Sequence, residues 1–594
     1  MERWMPKVEL TKQEQMMMKR LTRVRTLFGF LRLHRHELFD AAFQEELAGM
    51  YRDSGAGDEP HPPAMLCMVL LLQGYVGASD AEAVELAVMD LRWQMVLDCL
   101  GADAPPFSQG ALQSFRERLI AHGMDRVLLE KSVALVRTKA ISEAEGKALS
   151  KAVRVAVDSR PLVGAGRVED TINLLGHAAR TIVQIVSKIT KRSEQEICRS
   201  ARIPLLLAPS IKAGLDIDWS DPEQKVTAIQ IVEQQVSSLH RWVERHLDEE
   251  LSAPLTPYIR AITQVREQDL ETTKEGVRIR RGVAPERRIS TEDSEMRHGR
   301  KSKSKRFDGY KEHIARDLDL PLILACAVTP ANRPEEEGAV PIRDDIAAQG
   351  LELVELHIDR AYVNSPVVDD LLKAKGKVFA KPWGARALRP GMFTKRDFEI
   401  DLKTGTITCP EGQVEPFEPG STVEFDPEAC GACPQRDKCT TAASGRGRTV
   451  SIAEDEALQK RFRHLQESGR GRQALRERVQ VEHALAHVAA RKGDTARYVG
   501  VRKNCSTFDG LRSSRISKRL SASRSPRNTQ RSCGFQPVRR SRGASLAGGE
   551  RADAQRRALP GCARSRHHRR ANQVPRQVRC ADRGDAAPPL GTLR

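Results

Sequence analysis

The chain reads as an α/β protein: a mixed-sheet core, interrupted by a helical and a cysteine-rich insertion and preceded by an all-helical N-terminal domain. Three observations predict this. Arg154-Val-Ala-Val-Asp158 and Leu353-Val-Glu-Leu-His-Ile358-Asp359 are apolar runs that end in an acid, the pattern of buried strands with a carboxylate at the tip. Strand-like and helix-like runs alternate from Phe307 to Ala380. Residues 1–148 show helical spacing alone.

The N-terminal part begins with a basic helical stretch from Met17 to Leu33, followed by an amphipathic helix from Glu37 to Leu47. Pro60-His-Pro-Pro63 then opens a helix from Ala64 to Tyr75 that is apolar almost all round and too short to span a bilayer. Ser79-Asp-Ala-Glu82 is a capping-box pattern, Asp90 to Trp93 closes that helix, and Ser108 caps the next. Such a bundle binds DNA about as often as it does not, and no recognition helix is legible.

Gly164-Ala165-Gly166 stops the first strand, and a polar, mainly helical insertion over 167–290 follows. The sheet resumes with Phe307 to His313 and Leu322 to Val328, which Asp317-Leu-Asp-Leu-Pro321 joins as a hairpin. Pro334 to Gln349 reads as a helix, then come the Asp359 strand, a helix from Pro366 to Ala374 and a strand from Gly376 to Ala380. The cysteine-rich insertion occupies 385–450; two helices follow, Ala453 to Gly469 and Leu475 to Lys492.

The formal charge of +18 is unevenly spread. Residues 511–594 carry 20 Arg and one Lys against four acids, which leaves 76 basic and 75 acidic side chains in residues 1–510. With no hydrophobic period, the 511–594 segment is expected to be disordered. It reads as a phosphate-gripping arm, a plain tail, or translation in a shifted frame; the abrupt change after Gly510 from mixed Lys and Arg to Arg favours the frameshift. No apolar run reaches the roughly 18 residues of a membrane span and no signal-peptide core is present, so a cytoplasmic protein is expected. Twelve unevenly spaced cysteines there argue for thiols or a metal site over disulfides.

Taken singly, the candidate residues have ordinary readings. Asp158 reads as a turn or helix cap before it reads as a catalyst. The basic run Arg297 to Arg306, which contains Arg300, Lys301, Lys303, Lys305 and Arg306, is a solvated loop or a phosphate-binding element at the mouth of the sheet. Cys409, Cys430, Cys433 and Cys439 have the C-x-x-C turn and the number of thiols of a closed structural zinc site, with unligated thiols or an iron–sulfur cluster as alternatives. Glu482 shares a helix face with Val479, Leu485 and Ala486, where an acid is costly unless it pairs with Arg478 or binds a cation. His483 and His487 could bind a metal, though surface or core histidines are commoner. Together, two strand-end aspartates and one helical glutamate supply the oxygen ligands that two-metal phosphoryl transfer needs.

These residues resemble bacterial insertion-sequence transposases of the DDE class, over about residues 15–510. The resemblance is carried by Pro106-Phe-Ser-Gln-Gly-Ala-Leu, Phe115-Arg-Glu-Arg-Leu, Val157-Asp158-Ser, Phe307-Asp-Gly-Tyr-Lys-Glu-His313, His357-Ile-Asp359-Arg-Ala-Tyr, the four-cysteine insert and Arg478-x-x-x-Glu482-His. It implies an RNase-H-like core in which Asp158, Asp359 and Glu482 hold two Mg²⁺ ions. Water would cleave DNA at the element's inverted-repeat ends, the freed 3′-hydroxyl would attack target DNA, and a homodimer would hold the paired ends. Lys311 and Arg478 are expected beside the basic run as DNA contacts, the cysteine spacing leads us to expect Zn²⁺ on the four thiols, and the protein is expected on nucleoid DNA. Leu475 and Ala489 stand where related enzymes carry Tyr and Lys, and Arg491 or Lys492 is the candidate replacement for that Lys. After Tyr498-Val-Gly500 and Arg502-Lys-Asn504, relatives continue into an apolar helix where this chain has the Arg-rich segment. The rival readings are an RNase-H-like nuclease that cuts without joining and a DNA-binding relic.

Overall fold

A computed structural model describes residues 2–21, 26–51, 59–143, 151–320, 322–385, 387 and 389–506. The expected disorder of 511–594, the expected boundary near 148 and Pro321 of the expected turn lie outside the described residues.

The N-terminal region is helical: α1 (Lys12–Arg20), α2 (Thr26–Leu38), α3 (Ala41–Ala48), α4 (Pro63–Val76), α5 (Asp80–Met89), α6 (Leu91–Leu97), α7 (Gln109–Ala121) and α8 (Met124–Glu143). Ser79 and Ser108 cap α5 and α7 as their sequences predict. Two expected helices are split, because a short acid starts a new turn inside each. Asp40 accepts the Phe43 N–H at 2.8 Å and opens α3; Asp90 ends α5 and accepts the Arg92 N–H at 2.8 Å to open α6. Arg32 of the basic stretch and Arg35 just beyond it are buried: Arg32 is bidentate to Glu14, and Arg35 donates to the carbonyls of Met95 and Val96. They serve packing, so they offer no charge to a surface.

The sheet starts with β1 (Ala152–Val163), which is followed by the insertion: α9 (Thr171–Thr190), α10 (Glu194–Ala201), α11 (Ile211–Leu215), α12 (Pro222–His246), α13 (Glu249–Ser252), α14 (Thr256–Asp269) and a hairpin of β2 (Leu270–Thr273) and β3 (Gly276–Ile279). The insertion has an apolar core of its own, built on Leu175, Ile182, Val236 and Ile262. The sheet then continues with β4 (Arg297–Arg300), β5 (Arg306–Asp317), β6 (Ile323–Pro330), α15 (Ala339–Ala348), β7 (Glu352–His357), α16 (Pro366–Lys373) and β8 (Lys377–Phe379). The strand order is β4-β5-β1-β7-β8, with β6 also on β5; β1 runs antiparallel to β5 and parallel to β7. Asp317 makes the expected β5–β6 turn by accepting the N–H groups of Asp319 (2.9 Å) and Leu320 (3.0 Å).

The basic run folds as a hairpin: Arg297–Arg300 pairs with Arg306 onward, and Lys301, Lys303 and Lys305 lie in its exposed turn. Gly309 within it has φ +144°, and a Cβ there would stand 2.2 Å from the Gly164 nitrogen. Only glycine lets β5 approach the end of β1 so closely.

Central β1 is covered on both faces. Val153, Val155 and Val157 join one apolar cluster with the sheet-covering α15 and α16 and with the N-terminal helices, while Ala156 and Leu162 pack beneath the later helix that carries Glu482. The cysteine-rich segment forms two small sheets, β9 (Glu399–Asp401), β10 (Thr406–Thr408) and β11 (Val414–Pro416), and β12 (Thr422–Glu424) with β13 (Thr449–Ser451); α17 (Pro427–Ala432) and α18 (Arg436–Cys439) lie between the last two strands. Its core is Phe398, Ile407, Phe425 and Val450. The chain then forms α19 (Glu456–Glu467), α20 (Gly469–Glu477) and α21 (Val479–Lys492), with Arg478 at a break inside the stretch expected as one helix. Among the described residues, no single helix is long and apolar enough to cross a membrane.

Candidate active site

Register brings the two aspartates together. β1 and β7 are parallel, with Ala156 beside His357, so two residues on Asp158 and Asp359 reach the same level of the sheet. Asp158 is not at the strand end, as its sequence suggests, because β5 pairs with β1 as far as Val163. It is β7 that stops, and the open flank of β1 becomes a cleft. Pro161 fits this flank: Val163, two residues on, donates to Asp494 on the side away from β5, so the N–H that Pro161 lacks also falls on that side. Asp359 accepts its neighbour Arg360 N–H at 2.7 Å and caps the 3-10 turn Arg360–Tyr362.

α21 lies over the same face of β1. Its core side chains are Val481, Ala484, Leu485 and Val488, and Glu482 with Ala486 and Ala489 faces the cleft. The expected apolar stripe through Val479 and Glu482 is therefore corrected: Val479 is exposed and the Glu482 side chain is 47% exposed, so the acid carries little burial cost. The expected partner is present. Arg478 donates to Glu482 at 2.5 Å and to Asp158 at 3.0 Å, so one guanidinium spans two of the three acids.

The cleft has a volume of about 940 Å³ and is lined by Asp158, Asp359, Glu482 and Arg478 together with Lys301, Lys305 and Arg306. Arg300 and Lys303 are exposed on the same hairpin but do not line it. Lys311 is turned away, donating to the Arg333 carbonyl at 2.6 Å, and burial lowers its pKa. Burial raises the Asp158 carboxyl; Arg478 opposes the shift, while the charges of Asp359 and Glu335 add to it. Glu335 is a further acid of the cleft that sequence reasoning missed. Three consecutive glutamates after Pro334 look like charge complementing a helix N-terminus, which hid the position of the first.

The candidate replacements for the missing Lys are also corrected. Lys492 donates to buried Glu312 at 2.7 Å, and Arg491 stacks over the Tyr75 ring, so neither reaches the cleft. Ala489 occupies the cleft wall. His483 and His487 are exposed on the outer face of α21 and do not line it.

Cys409, Cys430, Cys433 and Cys439 line one pocket of about 470 Å³ with Arg436 and Arg448, and burial with the three other thiols raises the pKa of Cys439. Among the described residues, no group of three or more His, Cys, Asp or Glu side chains is close enough to hold an ion, in the cleft or at the cysteines.

A family model described as Transposase DDE domain matches residues 408–509, and one described as Transposase domain (DUF772) matches residues 23–118. Both matches are to transposase families, and together they support an insertion-sequence DDE transposase. No curated protein and no solved structure matches it. The DDE-domain match contains the four cysteines, Arg478 and Glu482, while Asp158 and Asp359 lie outside both matches.

Proposed function

We propose that the transposase cuts DNA at the ends of its element and joins the freed ends to target DNA, with Asp158, Asp359 and Glu482 as the metal-holding acids. The observation that carries this reading is their convergence, from β1, the turn after β7 and α21, on a cleft that Lys301, Lys305 and Arg306 also line. Their all-oxygen donor set suits hard divalent ions, and Arg478 would have to release Asp158 and Glu482 to admit them. When bound, two Mg²⁺ ions supply activation of the attacking oxygen and stabilisation of the leaving one.

The chemistry is two displacements at phosphorus. Water attacks the phosphate at the element end, the P–O3′ bond breaks, and a 3′-hydroxyl is released. That hydroxyl then attacks a target phosphate, forming a new P–O bond as the target's own 3′-oxygen leaves. Lys301, Lys305 and Arg306 would hold backbone phosphates in the cleft, with Arg300 and Lys303 extending the grip along the hairpin. Lys311 drops out of this set because its ammonium is already bound.

In this reading residues 1–148 are the end-binding domain and 149–510 an RNase-H-like catalytic domain with insertions at 167–290 and 385–450. The central strand flanked by one antiparallel and one parallel neighbour supports that core. The four thiols would take Zn²⁺ as a structural ion, and a homodimer would bring two ends together on nucleoid DNA in the cytoplasm. The test is an assay of a plasmid carrying the element's terminal repeats, scored for cut and joined products. Joined products support the reading; cutting alone makes the protein a nuclease, and binding without cutting makes it a relic.

A further inference from the structure

Glu312 and His313 lie in the sequence motif on β5, are fully buried and line no part of the cleft. They stand opposite Arg160 and Ser159 of β1, the two residues that follow Asp158. Adjacent residues of a strand point to opposite faces, so each reaches a different layer. On the α21 face, Glu312 accepts Arg160 Nε at 2.5 Å and Lys492 Nζ at 2.7 Å; Lys492 ends α21, and Arg160 also donates to Asp494 just beyond it. On the other face, His313 bonds the Tyr362 hydroxyl at 2.6 Å and Thr329 Oγ1 at 2.9 Å. Tyr362 closes the turn that Asp359 caps, and its oxygen also bonds Ser159. A Cβ at Gly338 would stand 2.5 Å from the His313 ring, so the turn bearing Glu335 packs directly on it.

We propose that Glu312 and His313 are a back-to-back pair of positioning residues: Glu312 ties the helix of Glu482, and His313 the turn of Asp359, to the strand of Asp158. The pair thereby sets the separation of the three acids, and this inference rests on the proposed metal-holding role of those acids. Stability alone does not call for such a network, because replacing a buried ion cluster with apolar side chains is often neutral or favourable. What charge-assisted bonds add is direction, which apolar contact lacks. The ring is suited to a fixed role. Burial lowers its pKa to about 3, so it stays neutral, and a proton on Nε2 lets Ser159, Tyr362, His313 and Thr329 each donate to the next.

The test uses the full chain and a plasmid bearing the element's terminal repeats, with single-turnover cutting, end-DNA affinity and Mn²⁺ affinity by EPR. Tyr362→Phe removes one oxygen, Glu312→Gln keeps the side-chain shape, and Tyr310→Phe is the control, losing an equally buried hydroxyl that bonds Asp293, neither residue lining the cleft. Partners that orient metal ligands are worth about 10–100-fold. Tyr362→Phe and Glu312→Gln are expected to lower cutting and Mn²⁺ affinity by that factor, with DNA affinity unchanged and Tyr310→Phe within about twofold of the parent. Tyr362→Phe cutting as fast as Tyr310→Phe, with Mn²⁺ affinity intact, would overturn the positioning role. Asp158→Asn cutting at the parental rate would instead overturn the assignment of the acids on which it rests.

Discussion

Asp158 illustrates how a residue's meaning depends on what stops beside it. Its carboxyl is raised by burial and by neighbouring like charges, so its charged form is disfavoured in the fold. A group with a raised folded pKa contributes most below its unfolded pKa, and that contribution is lost as pH rises through the folded value. Asp158→Asn should therefore raise the melting temperature at pH 7, with the difference shrinking as pH falls below the carboxylate range; a lowered melting temperature at pH 7 would contradict this. The same substitution, or Asp359→Asn or Glu482→Gln, should slow cutting by at least about 100-fold, since even the partners of metal ligands are worth about 10–100-fold. His313 runs in the opposite sense. Its pKa falls from 6.5 to about 3, so the unfolded chain takes up the proton first, and stability should decline as pH drops between those values. Thermal unfolding of His313→Gln across that range should show a shallower acid slope than the parent.

At the scale of elements, the β4–β5 hairpin supplies Lys301, Lys305 and Arg306 to the cleft. Each phosphate contact contributes about 0.9 to the slope of log affinity against log salt, so changing Lys301, Lys305 and Arg306 together to Ala should flatten it by about 2–3. An unchanged slope would place the phosphate grip elsewhere. β5 itself depends on Gly309: Gly309→Ala combines a strained φ with backbone overlap and should cost about 2–4 kcal/mol in denaturant unfolding. α21 was legible as a helix from its apolar spacing, but its orientation was not. Periodicity marks a stripe, and only packing showed that Val481, Ala484, Leu485 and Val488 fill it while Glu482 faces the cleft.

Across the whole molecule, the N-terminal helices and the sheet share one apolar cluster, from Phe43 and Leu72 to Val155 and Tyr362. The contact is reinforced where the chain passes position 500: Arg502 is bidentate to Asp125 at 2.6 Å, and Arg116 and Arg497 flank the Tyr498 ring. Continuous burial of this kind couples the parts, so calorimetry should record the N-terminal helices and the sheet melting together. Asp125→Ala, which leaves Arg502 without its carboxylate, should lower stability by about 1–3 kcal/mol. Two separate transitions would show that the helices are an independent unit.

The alternation of strand and helix, the capping serines at 79 and 108, the four cysteines and the three acids were legible in the sequence, because each depends on neighbours within a few residues. Tertiary structure decided what depends on distance along the chain. It joined Asp158 to Asp359 through a parallel register, bound Lys311 and Lys492 to partners inside the fold, brought Glu335 into the cleft, and made Glu312 and His313 the common anchor of three separate elements. Local periodicity carries no information about which strand lies beside which or where its pairing ends, and in this protein that pairing is what builds the cleft.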